Sequence, residues 1–251
     1  GGTCNVKYAV VAYCGDDSLD TDYGWNGSVQ FAFVIQSDVP DNGDQGAEQD
    51  GGQDADDDEP FGMPQFYNVT MIGDGFQSAD GGTRAAIWRD NAANGYTNSI
   101  FTDFSGSAFA FESRAAVTNS YDRLLAGDLK LRNNIVGVFG TGNTWEQLVR
   151  IDDQNDGHLD LNAALNDALA IIADGGNVLA NPRIAFISRD RAQALNPRAS
   201  NPAVTSDLFP VDVRDPFLKQ TSYKGAFDPS ADVPLWTDGW SALYRLGYTA
   251  R

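Results

Sequence analysis

The 251-residue sequence predicts an all-β fold: a right-handed parallel β-helix with long loop insertions, one flanking α-helix and an irregular C-terminal cap. Three observations lead there. Two strand-like runs, Val6 to Cys14 and Val29 to Ser37, superpose at an offset of 23 residues. The acidic stretches that follow them, Asp16 to Gly24 and Asp44 to Gly52, superpose at an offset of 28. Short β-branched or aromatic runs entered by Asn then recur from Asn68, Asn98 and Asn134. Internal periods of about 20 to 50 residues mark stacked supersecondary units, none of which buries its apolar face alone.

Taken in order, the two N-terminal runs are the first rungs. The Asn-led runs, Asn68 to Gly73, Asn98 to Phe104 and Asn134 to Gly140, continue them. Asn tolerates the left-handed backbone of a repeated corner and its side chain bonds turn amides, so with Asn5 these residues predict an asparagine ladder. Ala85 to Arg89 and Ser107 to Glu112 read as further short strands. Residues 1–140 are therefore β-helix rungs, interrupted at 38–65 by an acidic loop carrying Asp41, Asp44, Glu48, Asp50, Asp54, Asp56, Asp57, Asp58 and Glu59 without Lys or Arg. Residues 141–251 hold the final rungs, the helix and the capping segment. The helix, 160–174, is read from Leu161, Leu165, Ala168, Leu169 and Ile172, which share one face, with Asp160 as cap and Gly175-Gly176 as stop.

Lys plus Arg number 17 against 35 Asp plus Glu, a net charge of -18. Such a surface repels phosphate backbones and anionic lipid heads, which excludes nucleic acid and leaves cations as the natural partners. No run approaches the roughly 18 apolar residues of a membrane span, and the start does not resemble a signal peptide.

Several stretches resemble a known family. Asn5-Val6-Lys7-Tyr8, Gly15-Asp16-Asp17-Ser18, Gly24-Trp25-Asn26-Gly27, Gly43 to Gly52, Arg89-Asp90-Asn91 and Asn98 to Phe104 resemble large bacterial secreted or cell-surface parallel β-helix proteins, known as hypothetical surface proteins or lipoproteins. The ending, Tyr223 to Phe227 and then Trp236 to Leu243, is similar too. The resemblance implies a secreted or cell-surface location and no particular activity. It covers only the C-terminal half of such proteins, which carry many rungs before the point where Gly1-Gly2 stands.

The carboxylates carry the first chemical reading. Asp16, Asp17, Asp20 and Asp22 lie within seven residues, and Asp44, Glu48 and Asp50 occupy equivalent places one unit later. Stacked turns about 4.8 Å apart crowd these like charges unless a cation neutralises them. Calcium suits them, since it takes about 6 to 8 oxygen ligands; the competing reading is a solvated acidic face. Asp152, Gln154 and Asp156, with Gly157 sixth, partly match a calcium loop, but its twelfth place is Ala163, and Asp160 reads as the helix cap.

Nucleophilic catalysis has little material. The single histidine, His158, reads as a lone surface side chain, and no Gly-x-Ser-x-Gly elbow occurs. Cys4 and Cys14 are too few for zinc. Unbroken strand would hold them about 33 Å apart, far beyond a disulfide's reach of about 7 Å, whereas a corner between them would permit the bridge. A polysaccharide-active enzyme, a lyase or glycoside hydrolase, would draw on Arg84, Arg89 and Asp90 with Trp88 as a sugar platform. Against it, Arg89 and Asp90 can pair with each other while Trp88 packs in the coil.

The sequence thus favours a non-enzymatic extracellular structural or adhesion module, calcium-stabilised and part of a larger surface assembly or filament, over the polysaccharide enzyme; surface polysaccharide remains a candidate ligand. A coil that starts at Gly1-Gly2 exposes the edge of the Val6 to Tyr13 strand, with only Lys7 to blunt it. Preceding β-helix rungs, another copy or another polypeptide are therefore expected at that edge. Phe209, Phe217, Phe227, Trp236 and Trp240 are expected to cover the other end.

Overall fold

The computed structural model describes residues 1–52, 59–79, 81–154, 157–212 and 214–249. Apart from one antiparallel pair, the described strands lie in three parallel stacks, which successive turns of the chain visit in the same order. The first stack holds Val6 and Lys7 of β1 (Val6–Ala12), the start of β3 (Ser28–Ile35), then β5 (Gln65–Tyr67), β8 (Gly95–Thr97) and β11 (Leu131–Arg132). The second takes the later halves of β1 and β3, then β6 (Thr70–Ile72), β9 (Ile100–Phe104), β12 (Ile135–Phe139) and β14 (Val178–Leu179). The third holds β2 (Leu19–Thr21), β4 (Ala47–Asp50), β7 (Ala86–Arg89), β10 (Phe109–Glu112) and β13 (Val149–Asp152). The offsets read from the sequence reappear as pairing registers, Val6 opposite Val29 and Leu19 opposite Ala47.

The third stack corrects one sequence expectation. Residues 38–65 are not a single loop, because Ala47–Asp50 is a strand inside them. Ala47 and Gln49 point into the core while Glu48 and Asp50 do not, the alternation of a half-buried strand. Asp54, Asp56, Asp57 and Asp58 lie outside the described residues.

The corner between the first two stacks is left-handed at every level: Tyr8 (φ 62°), Phe31 (φ 60°), Asn68, Asn98 and Asn133 (each φ 52°) stand one above another. The ladder therefore differs from the expected one. Asn133, not Asn134, occupies the corner, and Tyr8 and Phe31 fill the places that Asn5 was expected to begin. Aromatic residues are poor left-handed formers; here the two rings stack at 5.1 Å and 14°. Asn134 instead points inward, where its Oδ1 accepts from the Ser99 amide at 2.8 Å.

Both sides of the second stack are apolar, as befits a sheet covered on both faces. Val34, Met71, Phe101 and Val136 face the interior, with Trp88, Phe109 and Phe111 from the third stack and Phe66 and Tyr96 from the first. Rings in register stack along the coil axis: Phe66 on Tyr96 at 4.6 Å and Trp88 on Phe111 at 5.0 Å. On the other side Phe33, Ile35, Ile72, Ile100 and Ile135 form an outward apolar row.

That row decides where the C-terminal chain goes. Leu195, Phe227, Leu235 and Leu243 pack on it, and Trp236 lies 5.3 Å from Tyr8 at the first rung. The corner asparagines clamp the same segment: Asn133 Nδ2 donates to Asp207 O at 2.7 Å, Asn98 exchanges two bonds with the Phe209 backbone, and Asn68 Nδ2 donates to Tyr223 O at 2.9 Å. The irregular segment is thus a strap along the side wall, where the sequence predicted an end cap. It includes a hairpin, β15 (Ile184–Phe186) and β16 (Asn196–Ala199), and a short helix, Ala242–Arg245.

The end is covered by the predicted helix, α3 (Leu161–Asp174), which the sequence left free to lie on the flank or the end, behind the shorter α1 (Ser120–Ala126) and α2 (Trp145–Leu148). Asp160 Oδ1 accepts from the amides of Asn162 and Ala163, as its cap position predicts. Ala164, Ala168 and Ile172 join the interior cluster beside Leu131, Leu148 and Val149. Asn133 N donates to Gly175 O at 2.8 Å, so the helix terminus bonds where a further first-stack strand would. A small-residue stripe fits flat across the end of a core, which the bulky strap residues could not do. At the opposite end β1 pairs only with β3 among the described residues, and Val6 is 40% exposed. Among the described residues no helix is long and apolar enough to cross a membrane.

Candidate functional site

The third stack carries the site because its strands alternate inward and outward residues. Thr21, Gln49, Trp88 and Phe111 point in. Gln49 is fully buried and satisfied, taking a bond from Thr21 Oγ1 at 2.9 Å and giving one to Leu19 O at 2.8 Å; Asn94 links it to the Trp88 indole. Outward stand two rows of charge: Asp20 beside Glu48, and Asp50 beside Arg89.

Arg89 is bound on both sides, to Glu48 Oε1 at 2.6 Å and Asp50 Oδ2 at 3.2 Å. Asp90 pairs with Arg114 at 3.3 Å. The Arg89–Asp90 pair considered from the sequence is thus replaced by cross-rung pairs, because neighbours along a strand point to opposite sides while neighbours across rungs face alike. Trp88 is fully buried. Burial raises the carboxyl of Glu48 to about 7, reinforced by Asp17 and Asp50 against the opposing pull of Arg89. Burial likewise raises Asp50 to about 6, and it raises Asp17 and Asp20. The Asp17 and Glu48 carboxyls act on each other, Asp17 adding to the upward shift of Glu48.

At the turn leading into this stack, Asp16, Asp17 and Asp44 bring one ligand oxygen each within 4.8 Å of one another. Asp17 Oδ1 is anchored by the Gln45 amide at 2.6 Å, and the Asp44 carbonyl by Gln36 Nε2 at 3.1 Å. Of the seven carboxylates singled out, three therefore converge and Glu48 adjoins them through Asp17; Asp20, Asp22 and Asp50 lie along the rows instead. Three convergent carboxylates with neighbouring turn carbonyls are a hard-oxygen donor set of the kind calcium takes.

Of the partial calcium loop, Gln154 Nε2 donates to Glu112 Oε1 at 2.7 Å, and Asn155 and Asp156 lie outside the described residues. Cys4 and Cys14 are free thiols, the first exposed and the second half-buried. His158 is less isolated than its sequence suggests. Its Nε2 lies 3.0 Å from Ser113 Oγ, a contact across 45 residues that no local pattern announces. Coil lengths differ from rung to rung, so only pairing registers could have aligned the two.

A family model described as a pectate-lyase-like beta helix domain matches residues 1–170. No curated protein and no solved structure matches the chain. The matched span holds all three stacks except β14, the acidic rows and most of α3, while the strap lies beyond it. The chain belongs to the family of pectate-lyase-like β-helix domains.

Proposed function

We propose that the protein is a non-enzymatic extracellular or cell-surface module, a right-handed β-helix whose first two rungs are tied by calcium at Asp16, Asp17 and Asp44. One observation carries this reading: the residues an enzyme would use on the third stack are already committed, Arg89 between Glu48 and Asp50 and Trp88 in the core. The right-handed sense follows the general rule that parallel crossovers within a sheet are right-handed in about 98% of cases. Among the described residues β1 pairs on one side only, and its other side would take a further parallel rung, whether preceding β-helix rungs, another copy or another polypeptide, in a surface assembly.

Melting in chelator and in millimolar calcium tests the metal. Calcium is expected to raise the melting temperature of the wild type and to leave a doubly substituted Asp16→Asn, Asp44→Asn variant unmoved; equal melting of the wild type in both conditions refutes the site. The alternative, a polysaccharide-active enzyme, is favoured by the Asp17–Glu48 carboxyl pair, which could hold and release a proton. Turnover of pectate, alginate or neutral glycans abolished by Glu48→Gln would establish it in place of the structural reading.

A further inference from the structure

A second cluster stands away from the acidic rows, at the C-terminal ends of the second-stack strands. A cavity of about 440 Å³ is lined by Asp38, Asp74, Phe76, Asp103 and Arg189 among others. Asp103 is spent: its Oδ2 pairs with Arg189 at 3.1 Å and its Oδ1 accepts the Phe76 amide at 3.1 Å. Asp74 is not. It is 4% exposed, its Oδ1 accepts the Ser105 amide at 2.9 Å, and its Oδ2 has no hydrogen-bond partner. A buried carboxylate left half-satisfied is costly.

We propose that this cavity binds a primary ammonium group. Three carboxylates against one guanidinium leave the lining with a net negative charge, in a chain whose total is -18. An ammonium supplies the charged donors that the Asp74 carboxylate lacks. Phe76, 43% exposed at the cavity, offers a ring face to the same cation. A metal ion fits less well, because Asp38, Asp74 and Asp103 are not among the carboxylates that converge: among the described residues only Asp16, Asp17 and Asp44 do. Anionic sugars are repelled. The ammonium can come from a free polyamine or from a lysine side chain of a partner polypeptide, and the two are separable.

Calorimetric titration at about 0.15 M salt, which screens loose attraction to the acidic surface, uses spermidine in one arm and an acetylated, amidated Gly-Lys-Gly peptide in the other. One saturable site is expected for at least one probe. Its affinity should fall at least tenfold in Asp74→Asn, which keeps the acceptor for Ser105, and severalfold in Phe76→Ala, a substitution at a residue 43% exposed. The Asp16→Asn, Asp44→Asn variant should bind as the wild type does. Saturation by spermidine alone assigns a polyamine and saturation by the peptide alone a lysine. Failure of both probes to saturate, or equal binding by wild type and Asp74→Asn, overturns the proposal without touching the calcium reading.

Discussion

The outer sides of the second and third stacks belong to the same coils yet are opposites. The second presents Phe33, Ile35, Ile72, Ile100 and Ile135; the third presents Asp20, Glu48, Asp50 and Arg89. The backbone does not distinguish them, since both are parallel ladders. What differs is the cover. The strap lies on the second stack, so apolar side chains there leave water; among the described residues no element covers the charged rows, where Arg89 pairs with Glu48 and Asp50. In this coil the interior side of a strand is set by the fold, and the exterior side by whatever packs on it.

The contrast is broken most severely at Phe33. Phe33→Ala removes a fully buried ring that meets Phe227 edge-on at 5.0 Å, and should cost about 3–5 kcal/mol in denaturant unfolding. Arg89→Ala on the charged side, where both ion pairs are partly exposed, should cost about 1 kcal/mol or less. Equal losses would erase the distinction between covered and uncovered sides.

A middle-sized effect is expected at the corner. Asn98→Ala loses both bonds to the Phe209 backbone and puts alanine, which adopts the left-handed region less readily than asparagine, at φ 52°. A loss of about 2 kcal/mol and faster proteolytic cleavage between Ser200 and Lys219 should follow. Unchanged cleavage would mean that the apolar row alone holds the strap.

The smallest effect is protonic. Glu48 titrates near 7 when folded, above its ordinary value, so the folded state holds that proton more tightly than the unfolded chain. Its contribution is therefore full below about pH 4.5 and is lost as pH rises through about 7. Melting temperature should fall across that window, less steeply in Glu48→Gln than in the wild type. Parallel profiles for the two proteins would show that Glu48 does not carry the dependence.

Much of this contrast was readable in the residues, and its limits have physical causes. The offsets of 23 and 28 gave the first registers because β1 and β3, β2 and β4 repeat both composition and turn. Asn68 and Asn98 marked the corner for the same reason. The corner residues of the first two rungs were hidden because Tyr8 and Phe31 hold a left-handed backbone through tertiary stacking, not propensity. The seven carboxylates were found as a group, but which three converge depends on the side to which each points. The strap's place was unreadable: Phe227 and Trp236 announce burial without saying against what. The Asp74 cavity joins residues from Asp38 to Arg189 and has no local sign at all.

The strap also sets the order in which the molecule can be completed on the ribosome. Each coil can settle on its predecessor as it emerges, since rungs are separated by a few tens of residues. The outer wall of the first rungs cannot. Lys219 reaches back 189 residues to Gln30 and 211 to Tyr8. Until the segment from Leu195 to Leu243 is made, Phe33, Ile35 and Ile72 stay wet on a growing, sticky sheet. Closing such distant contacts is slow, and the half-made coil is the species most exposed to aggregation or to a chaperone's grasp.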